Sequence, residues 1–460
     1  LQVQGRLDNT GGTVATNGTV NLSAHALINS QGTLQAAGNG NNLLQVTQTL
    51  ENRAGRLLAS GNTRIDAGHL VNQAGTLQAG GTLTLDVEGV LDNSAQGAIA
   101  SGGDAQITAT VLDNQSGSIE HAGEGTLAIA VNELDGAKGR IVGNGALTLE
   151  GDRLDLSGGT TGARTVSVSA GSLDNSTGML SATGTGPMVL QVQGTLRNDG
   201  GTIAANGAQQ VTAGTLSNID GTLSSAGTGV TRIDVDGRFD NTDGVVASNG
   251  SSLHIDAREL VNQDGTLSHG GDGLLALQVD TLDGAGGTIA SAGQLTLEAG
   301  SVDHRGATLN AEQFTVTAAS FNNQGGTVLA TGGQPSSLQV TGVLDNGVGG
   351  TLASNADLTV RADVLGNAGG TVQQAGTGTL DITARMLDGQ GGKLLSNGSL
   401  QLSGEQTDLR DATTAAREVR IDTGTLTTAG GTLSASGTGV LSLQVRGVLD
   451  NTAGTLAGNG

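Results

Sequence analysis

LVNQAGTLQAGGTLTLDVEGVLDN, residues Leu70 to Asn93, decides the fold class of this chain. In its second half, TLTLDVEGVLDN, apolar residues alternate so that Leu83, Leu85 and Val87 share one face. Period-two alternation is the pattern of a strand, not of a helix. GTLQAGG at Gly75 is a second, shorter run closed by glycines, so a stretch of about 21 residues holds two or three short strands joined by tight turns.

The same unit returns along the whole chain, as GTVATNG at Gly12, GTLQAAGN at Gly32, GRLLASGN at Gly55, GTIAANG at Gly201, GTLSSAG at Gly221 and GTLASNA at Gly350. The markers Gly12, Gly32, Gly55, Gly75, Gly97, Gly117 and Gly139 are separated by 20, 23, 20, 22, 20 and 22 residues. Antiparallel hairpins would also alternate. A near-constant repeat with the same residue type at each phase instead favours identical coils stacked in register. The expected fold is all-β: a right-handed parallel β-helix, or β-solenoid, of about 22 coils with roughly 20–23 residues each. It is read as one continuous array over residues 1–460, about 100 Å long at about 4.8 Å per coil. A single coil supplies some five inward aliphatic side chains, worth roughly 10 kcal/mol. Ordering its backbone and side chains costs on the order of 30 kcal/mol, so coils fold only when stacked.

Composition agrees with repetition. The chain has 80 Gly, three Phe and no Tyr or Trp in 460 residues, so its core must be built from small aliphatic side chains. A net charge of −22 with no Lys/Arg cluster argues against nucleic acid and anionic lipid as partners. No apolar run approaches the roughly 18 residues of a membrane span, so no membrane insertion is expected. Cysteine is absent, which removes disulfides and thiolate metal sites. The start LQVQGRLDN lacks an export signal and the end AGTLAGNG falls in mid-pattern, so the chain reads as an internal fragment of a longer protein.

Two columns and a longer period stand out. Leu-x-Asn precedes most Gly-Thr cores, with Asn at Asn9, Asn29, Asn52, Asn72, Asn93, Asn114, Asn175, Asn198, Asn218, Asn241, Asn262, Asn323, Asn346, Asn367 and Asn451. These are read as a structural ladder, each Asn taking a turn conformation with positive φ and bonding its equivalent in the next coil. The residue before that Asn is often acidic, mostly on alternate coils: Asp8, Glu51, Asp92, Asp135, Asp174, Asp240, Asp283, Asp345, Asp388 and Asp450, with Asp113 an exception. Alternation would hold the charges about 9.5 Å apart and keep their repulsion small. Finally, LDGAKGRIVGNGALTLE at Leu134, LDGAGGTIASAGQLTLE at Leu282 and LDGQGGKLLSNGSLQLS at Leu387 are related by shifts of 148 and 105 residues. The stretches after them, near 151–176, 299–324 and 404–429, lack a clean Gly-Thr core and are expected to be bulged or looped coils. In them Asp155, Asp303 and Asp408 fall in register.

Chemistry is not evident. His25, His69, His121, His254, His269 and His304 occupy different phases and form no metal-binding set, which reads as solvent-facing or strand-edge placement. No aromatic platform exists for sugar stacking, and no GxSxG sits at a strand-to-helix junction. The paired outward Thr of an ice-binding face is also missing, as Thr13/Ala15 and Thr33/Gln35 show. No catalytic, cofactor-binding or metal-ligating residue is therefore expected. Three or more carboxylates or cations converging in one groove would instead favour a glycan-binding or polysaccharide-active β-helix.

LVNQAGTLQAG at Leu70 and LSNIDGTLSSAG at Leu216 resemble the haemagglutinin repeats of filamentous haemagglutinin-type exoproteins, including those of contact-dependent growth inhibition. The resemblance covers essentially all of the chain. It implies a non-enzymatic stalk of a secreted surface adhesin. It also implies export by two-partner secretion through an outer-membrane transporter, residence at the bacterial cell surface, and a distal receptor-binding or toxin module directed at a host or neighbouring cell.

Overall fold

The computed structural model describes residues 1–437 and 439–459. These fall into two compact units, Leu1–Gly229 and Val230–Gly460. Every element among the described residues is a β-strand, and the strand pairs are parallel.

In the first unit each coil contributes one four-residue strand and one longer strand, the latter divided in one coil into Leu83–Val87 and Val90–Asp92. Thr33–Ala36 pairs residue for residue with Thr13–Thr16 on one side and Arg56–Ala59 on the other. Asn42–Glu51 lies between Asn21–Ile28 and Thr63–Val71. The long strand is bent. In Thr63–Val71, Ile65 and Ala67 face inward with period two, then the next inward residue is Leu70, three positions on. Gly68 sits at this break, where an added Cβ would stand 2.7 Å from the Gln48 carbonyl oxygen of the preceding coil. The coil interior thus has three walls, one from the short strand and two from the limbs of the bent one. Eleven short strands of this kind, Thr13–Thr16 to Thr222–Ser225, are described in this unit.

Register makes the core a set of vertical files. Leu34, Leu57, Leu77, Ile99, Ile119 and Ile141 pair in succession on the short wall. Leu85, Ile107, Ile129 and Leu149 do so on the first limb, and Leu70, Leu91, Leu112, Leu134 and Leu154 on the second. All these residues are buried, Leu83, Leu85 and Val87 among them. Burying about 2 kcal/mol of side chain per inward position, repeated coil after coil, replaces the large aromatic anchors of a globular interior.

The second unit repeats this plan, again with eleven short strands, from Val245–Ser248 to Thr455–Gly458. Val246, Leu267, Ile289, Leu309 and Val328 form its short-wall file. The three phenylalanines, Phe239, Phe314 and Phe321, all lie in its interior.

The stretches expected to bulge are instead the tightest coils. A single residue, Arg164, joins Thr160–Ala163 to Thr165–Asp174. Glu312 and Arg417 do the same at Ala311 and Ala416, whereas Ala37 to Asn41 connect the strands of an earlier coil. What they lack in sequence is the Gly/Asn turn, and strand pairing continues without it.

Candidate functional site

The fifteen asparagines named above occupy the turn that follows each long strand. All are buried except Asn9 and Asn451, which are half-exposed. Asn9 Nδ2 donates to Asn29 Oδ1, and the relay continues through Asn52, Asn72, Asn93 and Asn114 with every link 2.7 Å. Further links of the same kind join Asn175 to Asn198, Asn198 to Asn218, Asn241 to Asn262, Asn323 to Asn346 and Asn346 to Asn367. Most of these amides also donate to carbonyls of their own turn and of the next short strand, as Asn52 does to Gly55 and Thr76. Each ladder amide thereby finds an acceptor among the described residues.

The conformational part of the expectation needs correction. No ladder Asn has positive φ. The left-handed residue stands two positions later, at Gln31, Ala54, Ala74, Ser116, Thr177 and Val348, with φ of 56°, 49°, 51°, 56°, 55° and 49°. The Asn side chain is held by its bonds, and the turn reverses after it.

The acidic column alternates only in part: Ile28 and Val71 separate Asp8, Glu51 and Asp92, and Val261 separates Asp240 from Asp283, but other carboxylates are adjacent. Asp92, Asp113, Asp135, Asp155 and Asp174 are direct partners on five successive coils, and Asp283 pairs with Asp303 as Asp388 does with Asp408. Each carboxylate has a local task that offsets the crowding: its Oδ1 accepts the backbone N–H two residues on, as in Ser94 to Asp92 at 3.1 Å, Gln115 to Asp113 at 3.0 Å and Ser157 to Asp155 at 2.9 Å. Asp113 is nevertheless held above the ordinary carboxylate value. Burial is the main cause, and Asp92 and Asp135 add to it, against the Gln115 N–H. Asp303 is held below that value, chiefly by Arg305, which reaches it at 2.6 Å.

Three histidines overturn the solvent-facing reading. His121 and His269 end the short strands Ser118–His121 and Thr266–His269, the same phase in each unit, and both are buried. His304 stands in the asparagine column, also buried, with its Nδ1 2.7 Å from Asn323 Oδ1.

Two of the surface concavities have the size of a binding site. In the second unit the bend of the long strands forms an open trough of about 640 Å³ on the outer surface. Asp234, Asp236, Asp256, Asp280 and Glu298 line it, with Arg232 and Arg258. Asp234, Asp256, Gln278 and Glu298 are register partners, so the acidic groups stand one or two coils apart. Arg232 Nε is 2.7 Å from Asp234, which raises the guanidinium pKa first by that hydrogen bond and then by its charge. No three His, Asp or Glu among the described residues are placed to hold a metal ion. A smaller trough of about 410 Å³ follows the same bend in the first unit, lined by Asn132, Glu150, Asp152 and Gln193. These troughs can offer hydrogen bonds along an extended ligand, and no ring stacking.

A family model described as the haemagglutinin repeat matches residues 1–42, 39–95, 86–130, 122–200, 189–243, 240–277, 272–334, 336–380 and 375–438. No curated protein and no solved structure matches the chain.

Proposed function

The chain belongs to the haemagglutinin-repeat family, and from that premise we propose that it is the stalk of a secreted surface exoprotein, holding a distal receptor-binding or toxin-bearing module away from a bacterial cell. The coarse part of this, an adhesin-type filament built as a β-solenoid, rests on the family and the fold together. The observation that carries the stalk reading is register. Within each unit the walls pair with their copies in neighbouring coils, and most turns are committed to the amide ladder, so sequence is spent on extension. In this proposal the repeats run as one array, the role is mechanical and not enzymatic, and export goes through an outer-membrane transporter of the two-partner type. The targets are cells, whether of a host or, for a growth-inhibition exoprotein, of neighbouring bacteria.

Length is the testable quantity. Removing residues 52–113 from the complete exoprotein would join Glu51 to Asn114 and delete three coils in register. The distal tip should then approach the cell surface by about 14 Å, and by proportionally more for larger in-register deletions, as measured by electron cryotomography. A tip distance indifferent to coil number would refute the stalk.

A second reading, a glycan-binding side wall, is favoured by the five carboxylates and two arginines of the trough. The absence of any exposed Phe, Tyr or Trp among the described residues weighs against it. Retention on a glycan array that is lost in Asp256→Ala with Arg258→Ala would decide in its favour.

A further inference from the structure

Two buried imidazoles lie within a few coils of each other in the second unit, in the place where its amide ladder is interrupted. Asn262 Nδ2 finds no Asn in the next coil, because that position is Gly284, and it donates to the Gly265 and Thr288 carbonyls instead. The following coil carries His304. Asn323 Nδ2 is committed to Asn346 Oδ1 at 2.7 Å, so Asn323 Oδ1 is the atom that faces His304. Nδ1 of His304 must therefore carry the proton at neutral pH, and Nε2 is left buried and without a hydrogen bond. His269 lies two coils earlier, between Ser248 and Ser291, and neither of its ring nitrogens is hydrogen-bonded. The flanking hydroxyls are engaged elsewhere, Ser248 with Thr231 at 2.9 Å and Ser291 with the Gln294 carbonyl at 3.0 Å.

The charged surroundings do not compensate. The titratable group bearing on His269 is His254 of the neighbouring strand Ser252–Val261, which disfavours a second positive charge. Near His304 the carboxylate is Asp303, already held by Arg305, which in turn feels Asp283 of the preceding coil. Burial holds both imidazoles below the ordinary histidine value. It outweighs the backbone of Ser248 at His269, and Asn323, the Thr308 backbone and Asp303 at His304.

We propose that the coils between Asn262 and Asn323 are an acid-sensitive segment of the solenoid, which opens locally when His269 and His304 take up protons. Each imidazole gains a proton near pH 6.5 when exposed and only at lower pH when the coil is closed. Stability is therefore complete above about pH 6.5 and falls as the pH drops below it. Between pH 7.5 and 5.0 each histidine should raise the open population by roughly tenfold to thirtyfold.

Hydrogen exchange of the intact chain at the two pH values, corrected for intrinsic rates, tests this. Amides of Thr266–His269, Thr288–Ser291 and Thr308–Ala311 should lose at least about tenfold in protection at pH 5.0, while Thr371–Gln374 and Lys393–Ser396 should not. In His269→Gln with His304→Leu the difference should vanish. The chain already carries Gln374 at the end of a short strand, and Leu156 and Leu409 in the ladder column. Uniform exchange in the parent chain, or a pH effect that survives the double substitution, overturns the proposal. Should the double variant fold poorly, ¹³C-histidine spectra of the parent chain give an independent answer. The resonances removed by each single substitution must titrate below the ordinary histidine value, and titration at that value overturns it equally.

Discussion

Replacing one ladder asparagine should cost far more in the middle of a relay than at its end. Asn72 accepts from Asn52 and donates to Asn93, both at 2.7 Å, and its Nδ2 also reaches the Gly75 and Ala98 carbonyls at 3.2 and 3.1 Å. Asn72→Ala removes these bonds, each worth about 1 kcal/mol net, and leaves Asn93 Oδ1 buried with no donor, a further penalty of about 1–3 kcal/mol. The Asn52 amide is less affected, because it keeps Gly55 and Thr76. A loss of about 5 kcal/mol follows, or exchange at least roughly 1000-fold faster in Thr76–Ala79 and Ala98–Ser101. Asn114 offers the control. Its Nδ2 makes only 3.4 Å bonds, to the Gly117 and Arg140 carbonyls, and Gly136 in the next coil has no side chain to be orphaned. Asn114→Ala should cost about 1 kcal/mol and accelerate exchange about fivefold to tenfold in Ser118–His121. Exchange read by mass spectrometry suits a chain with no Trp or Tyr to report unfolding by fluorescence. Equal losses for the two variants would refute the relay as a source of stability.

Leu156→His should supply the donor that Asn175 Oδ1, buried and unpartnered, now lacks; local protection should rise by about 1 kcal/mol at pH 8 and the gain should disappear by pH 5. Val348→Gly should stabilise its turn by about 1 kcal/mol, since a β-branched residue there holds φ at 49° while 76% exposed, and unchanged thermal stability would count against strain at that site. Asp113→Asn keeps an oxygen for the Gln115 N–H and removes one interior charge of the acidic file, between Asp92 and Asp135. It should add about 0.5 kcal/mol in urea unfolding at pH 7 and nothing at pH 3, where Asp113, whose pKa is raised, is already protonated.

The repeat, the strands and the asparagine column could be read from the sequence because each rests on residue types that recur at a fixed phase. Leu83, Leu85 and Val87 alternate, and the Asn before each Gly-Thr core is the same residue in the same place. What could not be read depends on counting through connections of unequal length. One residue separates the strands at Arg164, two at Asn144–Gly145 and five at Ala37–Asn41, so phase is lost between coils. His121 and His269 looked unrelated for that reason, although they end equivalent strands. Asp155, Asp303 and Asp408 were separated from the acidic column because their coils lack the repeat motif, although register puts them directly in it. The left-handed position carries Gln, Ala, Ser, Thr or Val as well as Gly, and does so after Gly136 and Leu409 as after an Asn, so it leaves no compositional signal. The trough follows from a bend inside a continuous strand, which periodicity alone does not report.

The interruptions of the ladder follow a rule of their own. Gly136 precedes Leu156 and Gly389 precedes Leu409, one coil apart in each case. A Cβ on Gly136 would stand 3.3 Å from Leu156 Cδ2, and one on Gly389 3.0 Å from Leu409 Cδ2, so each leucine leans back over its glycine. An apolar plug thus replaces an amide contact, and the coil that follows is the one closed by a single connecting residue. In the remaining case Gly284 precedes His304, and the imidazole turns forward to Asn323. Leucine leaves the next asparagine oxygen without a donor, as at Asn175, whereas histidine satisfies the oxygen of Asn323 while placing a titratable ring in the core. Where a relay must end, the column therefore trades a permanent unsatisfied acceptor for one that is satisfied only while the imidazole stays neutral. That choice makes the interruption at His304 responsive to pH, whereas Leu156 leaves Asn175 unsatisfied and Leu409 is followed by Thr428, whose hydroxyl donates to Asn451.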